Sequence, residues 1–99
     1  MQSSYPASFE RDMGCTESEW SGWLPAALGD VSWQRDGQVV HALLPDGRLR
    51  LEWRVEAPRA IALVRIPRLW VRFEFTDTTS ESRYRFMRRF DLYMQRGGG

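Results

Sequence analysis

Few residues of this chain are suited to acid–base or covalent chemistry. Cys15 is its only cysteine and His41 its only histidine. Acidic residues on both sides of Cys15 would raise its pKa, which disfavours a nucleophilic role. His41 opposes Glu52 in the strand register derived below, and this pattern suits a base with its orienting carboxylate or a surface ion pair. No Ser or Cys occupies a recognisable nucleophile turn, so we prefer the ion pair and predict that the protein is not an enzyme.

The same inventory disfavours a metal or cofactor site. One histidine and one cysteine cannot supply the usual zinc ligand sets. The only glycine cluster, at residues 97–99, is not followed by a helix that could bind a phosphate group at its N-terminus. We therefore predict no catalytic, cofactor-binding or metal-ligating residues, and no cofactor.

The composition predicts one soluble globular domain. The 99 residues are 42% hydrophobic and 13% aromatic, which is enough for a core. No apolar stretch approaches the roughly 18 residues of a membrane helix, and the N-terminal residues lack an apolar leader. The single cysteine excludes an internal disulfide. We expect a cytoplasmic protein without a membrane partner.

Charge is distributed unevenly along the chain. Residues 1–47 carry a net charge of −5 and residues 48–99 a net charge of +6, and all 14 basic residues are arginines. Arginine suits bidentate contacts with carboxylates and phosphates better than lysine does. A GC-rich genome would produce the same preference without any function. The C-terminal half is therefore compatible with an arginine-bearing binding surface.

Two capping boxes predict two helices. Thr16 with Glu19 begins a helix that ends at Gly29, and Pro25 should kink or split it. Thr78 with Glu81 begins a second helix, whose apolar stripe should cover a sheet and consists of Phe86, Met87, Phe90, Tyr93 and Met94. We interpret residues 1–15 as a flexible N-terminal tail, residues 16–96 as a single domain and residues 97–99 as a flexible glycine end.

Between the helices the apolar period changes to two, which indicates strands. Asp-Gly pairs at 36–37 and 46–47 predict two-residue hairpin loops, so that Val40 opposes both Trp33 and Trp53. After the strand 48–56, a loop at 56–59 should return the chain as a strand over 60–66. A longer turn, bulge or bend at Ile66-Pro67 then leads to a strand over 68–75.

These elements define the predicted fold class. It is α+β, with an antiparallel meander sheet of four to five strands, a C-terminal helix packed on one face and a short N-terminal helix. In this register the outward face of the sheet is half apolar and carries Val39, Leu43, Ile61, Leu63 and Trp70. A sheet face left to water is normally polar, so these groups need a cover. The N-terminal helix is the preferred cover, and a second copy or another protein is the alternative.

The outward face is also the predicted functional surface. We predict a small non-enzymatic binding or assembly module that contacts a protein partner, or forms a homodimer, through Ile61, Leu63, Trp70, Arg50, Arg54, Arg65, Arg68 and Arg72. The alternative is weak binding of RNA or single-stranded nucleic acid, with Trp70 as a stacking platform among the arginines.

Overall fold

The computed structural model describes residues 4–98, and the side chains of residues 4–95. Along the chain the elements are β1 (Ser8–Met13), α1 (Glu17–Leu28), β2 (Trp33–Asp36), β3 (Val39–Leu43), β4 (Arg48–Ile61), β5 (Val64–Thr76) and α2 (Ser80–Gly98). Among the described residues, no helix is both long and apolar enough to cross a lipid bilayer.

The five strands form one antiparallel sheet in the order β1-β5-β4-β3-β2. Both helices pack on one face, which we call the inward face, and the opposite face is the outward face. The core lies between the helices and the inward face, where β4 contributes Leu49, Leu51 and Trp53. The predicted α+β class is confirmed, as are the antiparallel sheet, the N-terminal helix and the C-terminal helix, although β1 precedes α1 in the chain.

The first strand lies in the segment that was predicted to be a tail. Residues 8–13 pair with β5, from Ser8 opposite Glu74 to Met13 opposite Leu69. Phe9 stacks on Phe73 with ring centroids 4.6 Å apart, and Tyr5 is buried. The prediction of an unstructured tail over residues 1–15 is therefore wrong for this segment. Burial alternates along this strand, with Phe9, Arg11 and Met13 less exposed than their neighbours, but the strand that it pairs with is more than 50 residues away in the chain.

The first two hairpins keep the predicted faces but not the predicted loops. Asp36 pairs with Val39, so the first loop is residues 37–38, and Leu43 pairs with Arg48, so the second loop has four residues. Both registers differ from the prediction by two residues. Because strand side chains alternate with period two, an even shift leaves every side chain on its predicted face.

The largest correction concerns the end of β4. Instead of turning back at residues 56–59, β4 continues to Ile61, and the chain reverses over Ala62 and Leu63. The predicted strand 60–66 does not exist as a separate element. The register between β4 and β5 shifts between Glu56 and Arg59, which is a bulge. Prolines are tolerated at bulges and on edge strands, so Pro58 and Pro67 mark irregular positions of one long hairpin rather than its turns.

Helix α1 follows its predicted limits. The Thr16 hydroxyl accepts a hydrogen bond from the Glu19 N–H, the Glu19 carboxylate accepts one from the Thr16 N–H, and Gly29 ends the helix with a positive φ of 69°. Pro25 lies within one continuous helix and does not split it in two. Gly29 donates its N–H to the Pro25 carbonyl at 3.1 Å, which closes the last turn.

Helix α2 begins differently from the prediction. Thr79, rather than Thr78, accepts a hydrogen bond from the Ser82 N–H, and the Asp46 carboxylate accepts from the Thr79 N–H and the Ser82 hydroxyl. The predicted capping partner Glu81 instead pairs with Arg85. The apolar stripe is confirmed, since Met87, Phe90 and Met94 are buried. Gly97 and Gly98, assigned above to a flexible end, lie within α2, and Gly99 lies outside the described residues.

Trp53 joins the sheet to α1 and to the β2–β3 turn. Its indole N–H donates to Glu17 at 2.9 Å, and its ring meets Trp20 edge-on at 5.6 Å. The Arg35 guanidinium lies over the same ring at 5.0 Å, and the Trp53 backbone N–H donates to the Gln38 carbonyl. One fully buried side chain therefore holds three elements in place.

We expect Trp53→Ala to lower the free energy of unfolding by about 3–5 kcal/mol, because it opens a cavity under α1 and removes the donor to Glu17. Trp70→Ala is the matched control on the outward face and should cost about 1 kcal/mol. Urea unfolding followed by far-UV circular dichroism measures both. Equal losses for the two variants would contradict this assignment of Trp53 to the core.

The position of Glu17 predicts a pH dependence. Hydrogen bonds donated by Gln38, at 2.7 Å, and by Trp53 lower the pKa of the Glu17 carboxyl. A depressed folded-state pKa stabilises the protein above the unfolded-state pKa, and this contribution disappears as the pH falls through the folded-state pKa. Between pH 7 and pH 3 the wild type should therefore lose more stability than Glu17→Gln. Urea midpoints across this range measure the difference, and parallel curves would count against the prediction.

Candidate functional site

Neither helix covers the outward face of the sheet. Trp20 of α1 contacts Trp53 and Phe90, and Phe90 of α2 contacts Phe73, so both helices lie on the inward face. The expectation that the N-terminal helix covers the outward face is therefore wrong. The physical reason is that Trp20 and Leu24 bury more completely between the sheet and α2 than they could on a charged surface.

The central part of the outward face is an ionic network instead of an apolar patch. Arg50 lies 3.1 Å from both Glu52 and Glu74, and hydrogen bonding to Glu52 raises the pKa of Arg50. Arg72 lies 3.6 Å from Glu74, and Arg68 of β5 lies 3.3 Å from Asp12 of β1. Asp12 of β1, which the prediction left in the tail, thus pairs with the predicted site residue Arg68.

Trp70 is held in place by its neighbours on this face. Its indole N–H donates to Glu10 at 2.8 Å, and the Arg54 guanidinium lies 4.0 Å from the ring centroid. A stacking platform for nucleic acid bases needs an open ring face and few nearby acids. Arg54 occupies one side of the Trp70 ring, which disfavours that role.

The β4–β5 hairpin extends beyond the sheet as a two-stranded arm. Strand β3 pairs with β4 only as far as Glu52, and β1 pairs with β5 only as far as Leu69. We define the arm as residues 54–68, which have no strand on either side within the described part of the chain. The molecule measures 46 × 31 × 22 Å, and its long axis is close to the roughly 46 Å expected for the 14 residues of β4.

The tip of the arm is aliphatic and exposed. Ile61 is 54% exposed, Val64 is 59% exposed, and Leu63, in the turn, is fully exposed at 102%. Two arginines, Arg59 and Arg65, flank this tip and form no ion pair among the described residues. Within the described part of the chain, the arm therefore combines three exposed aliphatic side chains with two arginines that form no ion pair.

The long edges of the arm are poorly suited to adding another strand. Pro58 on the β4 edge and Pro67 on the β5 edge lack the backbone N–H that a strand ladder requires. The bulge between Glu56 and Arg59 further interrupts the β4 edge. Contacts of the arm must therefore depend on its side chains.

The structure divides the predicted site residues into two groups. The arm tip contains three of them, Ile61, Leu63 and Arg65. Arg65 pairs with Ala60, and this pair lies on the opposite face of the arm from the Ile61–Val64 pair. Trp70, Arg50 and Arg72 belong to the body of the sheet, while Arg54 and Arg68 lie at the base of the arm. The apolar residues predicted for the outward face therefore do not form one surface, because Ile61 and Leu63 lie at the arm tip and Trp70 lies in the body of the sheet.

The residues considered for catalysis are not brought together. His41 pairs with Arg50 and not with Glu52, so the predicted His41–Glu52 pair is wrong. His41 lines a cleft of about 590 Å³ with Arg48 and Arg50, and Glu52 is not among the lining residues. Cys15 is buried, which raises the pKa of its thiol. The described residues contain no cluster of three or more potential metal-ligating side chains.

Comparison with known proteins adds no assignment: no protein-family model matches the chain, and no curated protein matches it. The site must therefore be judged on its geometry.

Sequence reasoning missed the arm because its turn, Ala62-Leu63, has no Gly or Asn, although Ala62 adopts a positive φ of 54°. The sequence after Glu56, Ala57-Pro58-Arg59-Ala60-Ile61, does not alternate between polar and apolar residues, so no periodicity marked the continuation of β4.

Proposed function

We propose that this protein is a non-enzymatic binding module whose contact surface is the β4–β5 arm, and that its partner is a protein. The observation that carries the proposal is the exposed aliphatic tip, formed by Ile61, Leu63 and Val64. Aliphatic groups that project on a two-stranded arm cannot be buried by their own domain, so a partner surface is the environment that would stabilise them.

The composition of the arm supports a protein partner over a nucleic acid. Protein interfaces combine an apolar centre with arginine and few other charges, and here Arg59 and Arg65 border the aliphatic tip. A nucleic-acid surface needs several cations aligned for phosphate contacts. Arg54 and Arg68, the other two arginines of the arm, already lie beside Glu56 and Asp12.

The partner surface should be an apolar cleft bordered by carboxylates. The tip side chains supply the apolar contact, and the two unpaired arginines supply charge complementarity at the rim. Because Pro58 and Pro67 interrupt both edges of the arm, strand addition is not the expected mode. A cytoplasmic location and the absence of enzymatic activity stay predictions.

We expect Leu63→Asp to weaken partner binding or self-association by at least about tenfold without changing the unfolding midpoint, since Leu63 is fully exposed. Leu43→Asp is the matched control, because Leu43 is 59% exposed but pairs with Arg48 at the other end of β4. Sedimentation measures self-association, and affinity capture followed by titration of the purified captured protein measures partner binding. The proposal fails if the wild type associates with nothing, or if Leu63→Asp behaves like Leu43→Asp.

The nucleic-acid alternative has a separate test. We expect fluorescence titration with single-stranded oligonucleotides to show no saturable binding at about 150 mM salt, which is physiological ionic strength. Saturable binding that falls steeply with salt and is lost in Trp70→Ala would replace the proposed protein partner with a nucleic acid.

A further inference from the structure

The cleft beside His41 lies on the outward face, at the end of the sheet opposite to the arm. Its volume of about 590 Å³ is within the roughly 300–1,000 Å³ of small-molecule sites. Four strands contribute hydrogen-bonding side chains to its lining, namely Gln34, His41, Arg48, Arg50 and Thr76. None of the described residues that line the cleft is acidic. The lining therefore has the charge and the donors of an anion site.

The strand register brings these side chains together in two neighbouring rows. His41 pairs with Arg50 in one row. In the next row Arg48 lies between Leu43 of β3 and Thr76 of β5. Diagonal neighbours in such rows are about 7–8 Å apart, which is within reach of long side chains. Arg48 and His41 can therefore contact the same bound group from two adjacent strands.

Arg48 supplies the uncompensated charge of the cleft. Other outward arginines in the body of the sheet pair with carboxylates, as Arg72 does with Glu74 at 3.6 Å. Arg48 faces a leucine and a threonine instead, and it forms no ion pair among residues 4–95. The cross-strand compensation of charge on this face therefore stops at the cleft.

Arg50 adds donors to the cleft without adding free charge. Its Nη1 donates to both Glu52 and Glu74 at 3.1 Å, so a single nitrogen serves both carboxylates. A guanidinium carries more N–H groups than these two contacts use. Neither acid lines the cleft, so neither competes there with a bound anion.

We propose that this cleft binds a small organic anion, whose phosphate or carboxylate group contacts Arg48, His41 and Thr76 and whose apolar part lies on Leu43. The planar fork of an arginine matches the oxygens of either group. Leu43 suits an attached apolar group, because its side chain is 59% exposed directly beside Arg48. The cleft and the arm are at opposite ends of the sheet, so this inference goes beyond the proposed function and does not depend on it.

Three probes that share an aromatic ring provide the test: phenyl phosphate, benzoate and phenol. We expect the two anions to bind with dissociation constants of about 1 mM, and neutral phenol to bind at least about tenfold more weakly. Titration of the full chain, followed by ¹H–¹⁵N NMR at about 150 mM salt, measures each affinity and locates the site. The amide shifts that change should centre on residues 41–50, and the tighter anion identifies the preferred oxyanion group.

Arg48→Gln should weaken the binding of both anions at least about tenfold, because it removes the free cation from the cleft. Arg88→Gln is the matched control, since Arg88 is also exposed, lies on α2 and carries the same charge. Circular dichroism and thermal unfolding establish that both variants remain folded. The proposal is wrong if neither anion binds, if phenol binds as tightly as the anions, or if the two variants weaken binding equally.

Variants at the two ends of the sheet separate this inference from the proposed function. Leu43→Asp places a carboxylate in the cleft and should abolish anion binding without affecting association through the arm. Leu63→Asp should do the opposite. If anion binding is absent but Leu63→Asp abolishes association, only the proposed function stands. If Leu63→Asp has no effect but Arg48→Gln weakens anion binding, only the anion site stands.

Discussion

The structure depends on the burial of one indole. Trp53 lies on the inward face of β4, the central strand, and contacts α1 through Trp20 and Glu17 and the β2–β3 turn through Gln38. Because its N–H has a partner and its ring has aromatic neighbours, this large side chain is buried without leaving an unsatisfied donor. The position of α1, and with it the face of the sheet that stays uncovered, follows from this packing.

With both helices on the inward face, the outward face must be compatible with water. It achieves this by alternating arginines and carboxylates across neighbouring strands, as in the contacts of Arg50 with Glu52 and Glu74. Each such exposed pair stabilises the fold by at most about 1 kcal/mol, so the network is better understood as a solvated surface than as a source of stability. This network also occupies the arginines that a nucleic-acid surface would need.

The exposed aliphatic groups lie where the sheet narrows to two strands. The arm extends β4 and β5 past the last pairs made by β3 and β1, so Ile61, Leu63 and Val64 have no helix or neighbouring strand to cover them within the described part of the chain. At the same place Pro58 and Pro67 interrupt the backbone edges, which limits uncontrolled strand pairing. A projection with exposed apolar side chains and interrupted backbone edges is suited to specific side-chain contacts, and this combination underlies the proposed function.

The sequence by itself determined the class of fold, the limits of α1 and the face of each side chain from Trp33 to Trp53. These features are local, because capping residues act within one turn of a helix and strand faces follow a period of two that even register shifts preserve. Only the tertiary structure decided that residues 8–13 form a strand, that α1 packs beside α2, and that the chain reverses at Ala62 instead of at residues 56–59. The first two features depend on contacts with residues more than 50 positions away in the chain. The third depends on the backbone hydrogen bonds between β4 and β5, which hold Ala62 at a positive φ. No local pattern of residues encodes these long-range contacts or that turn.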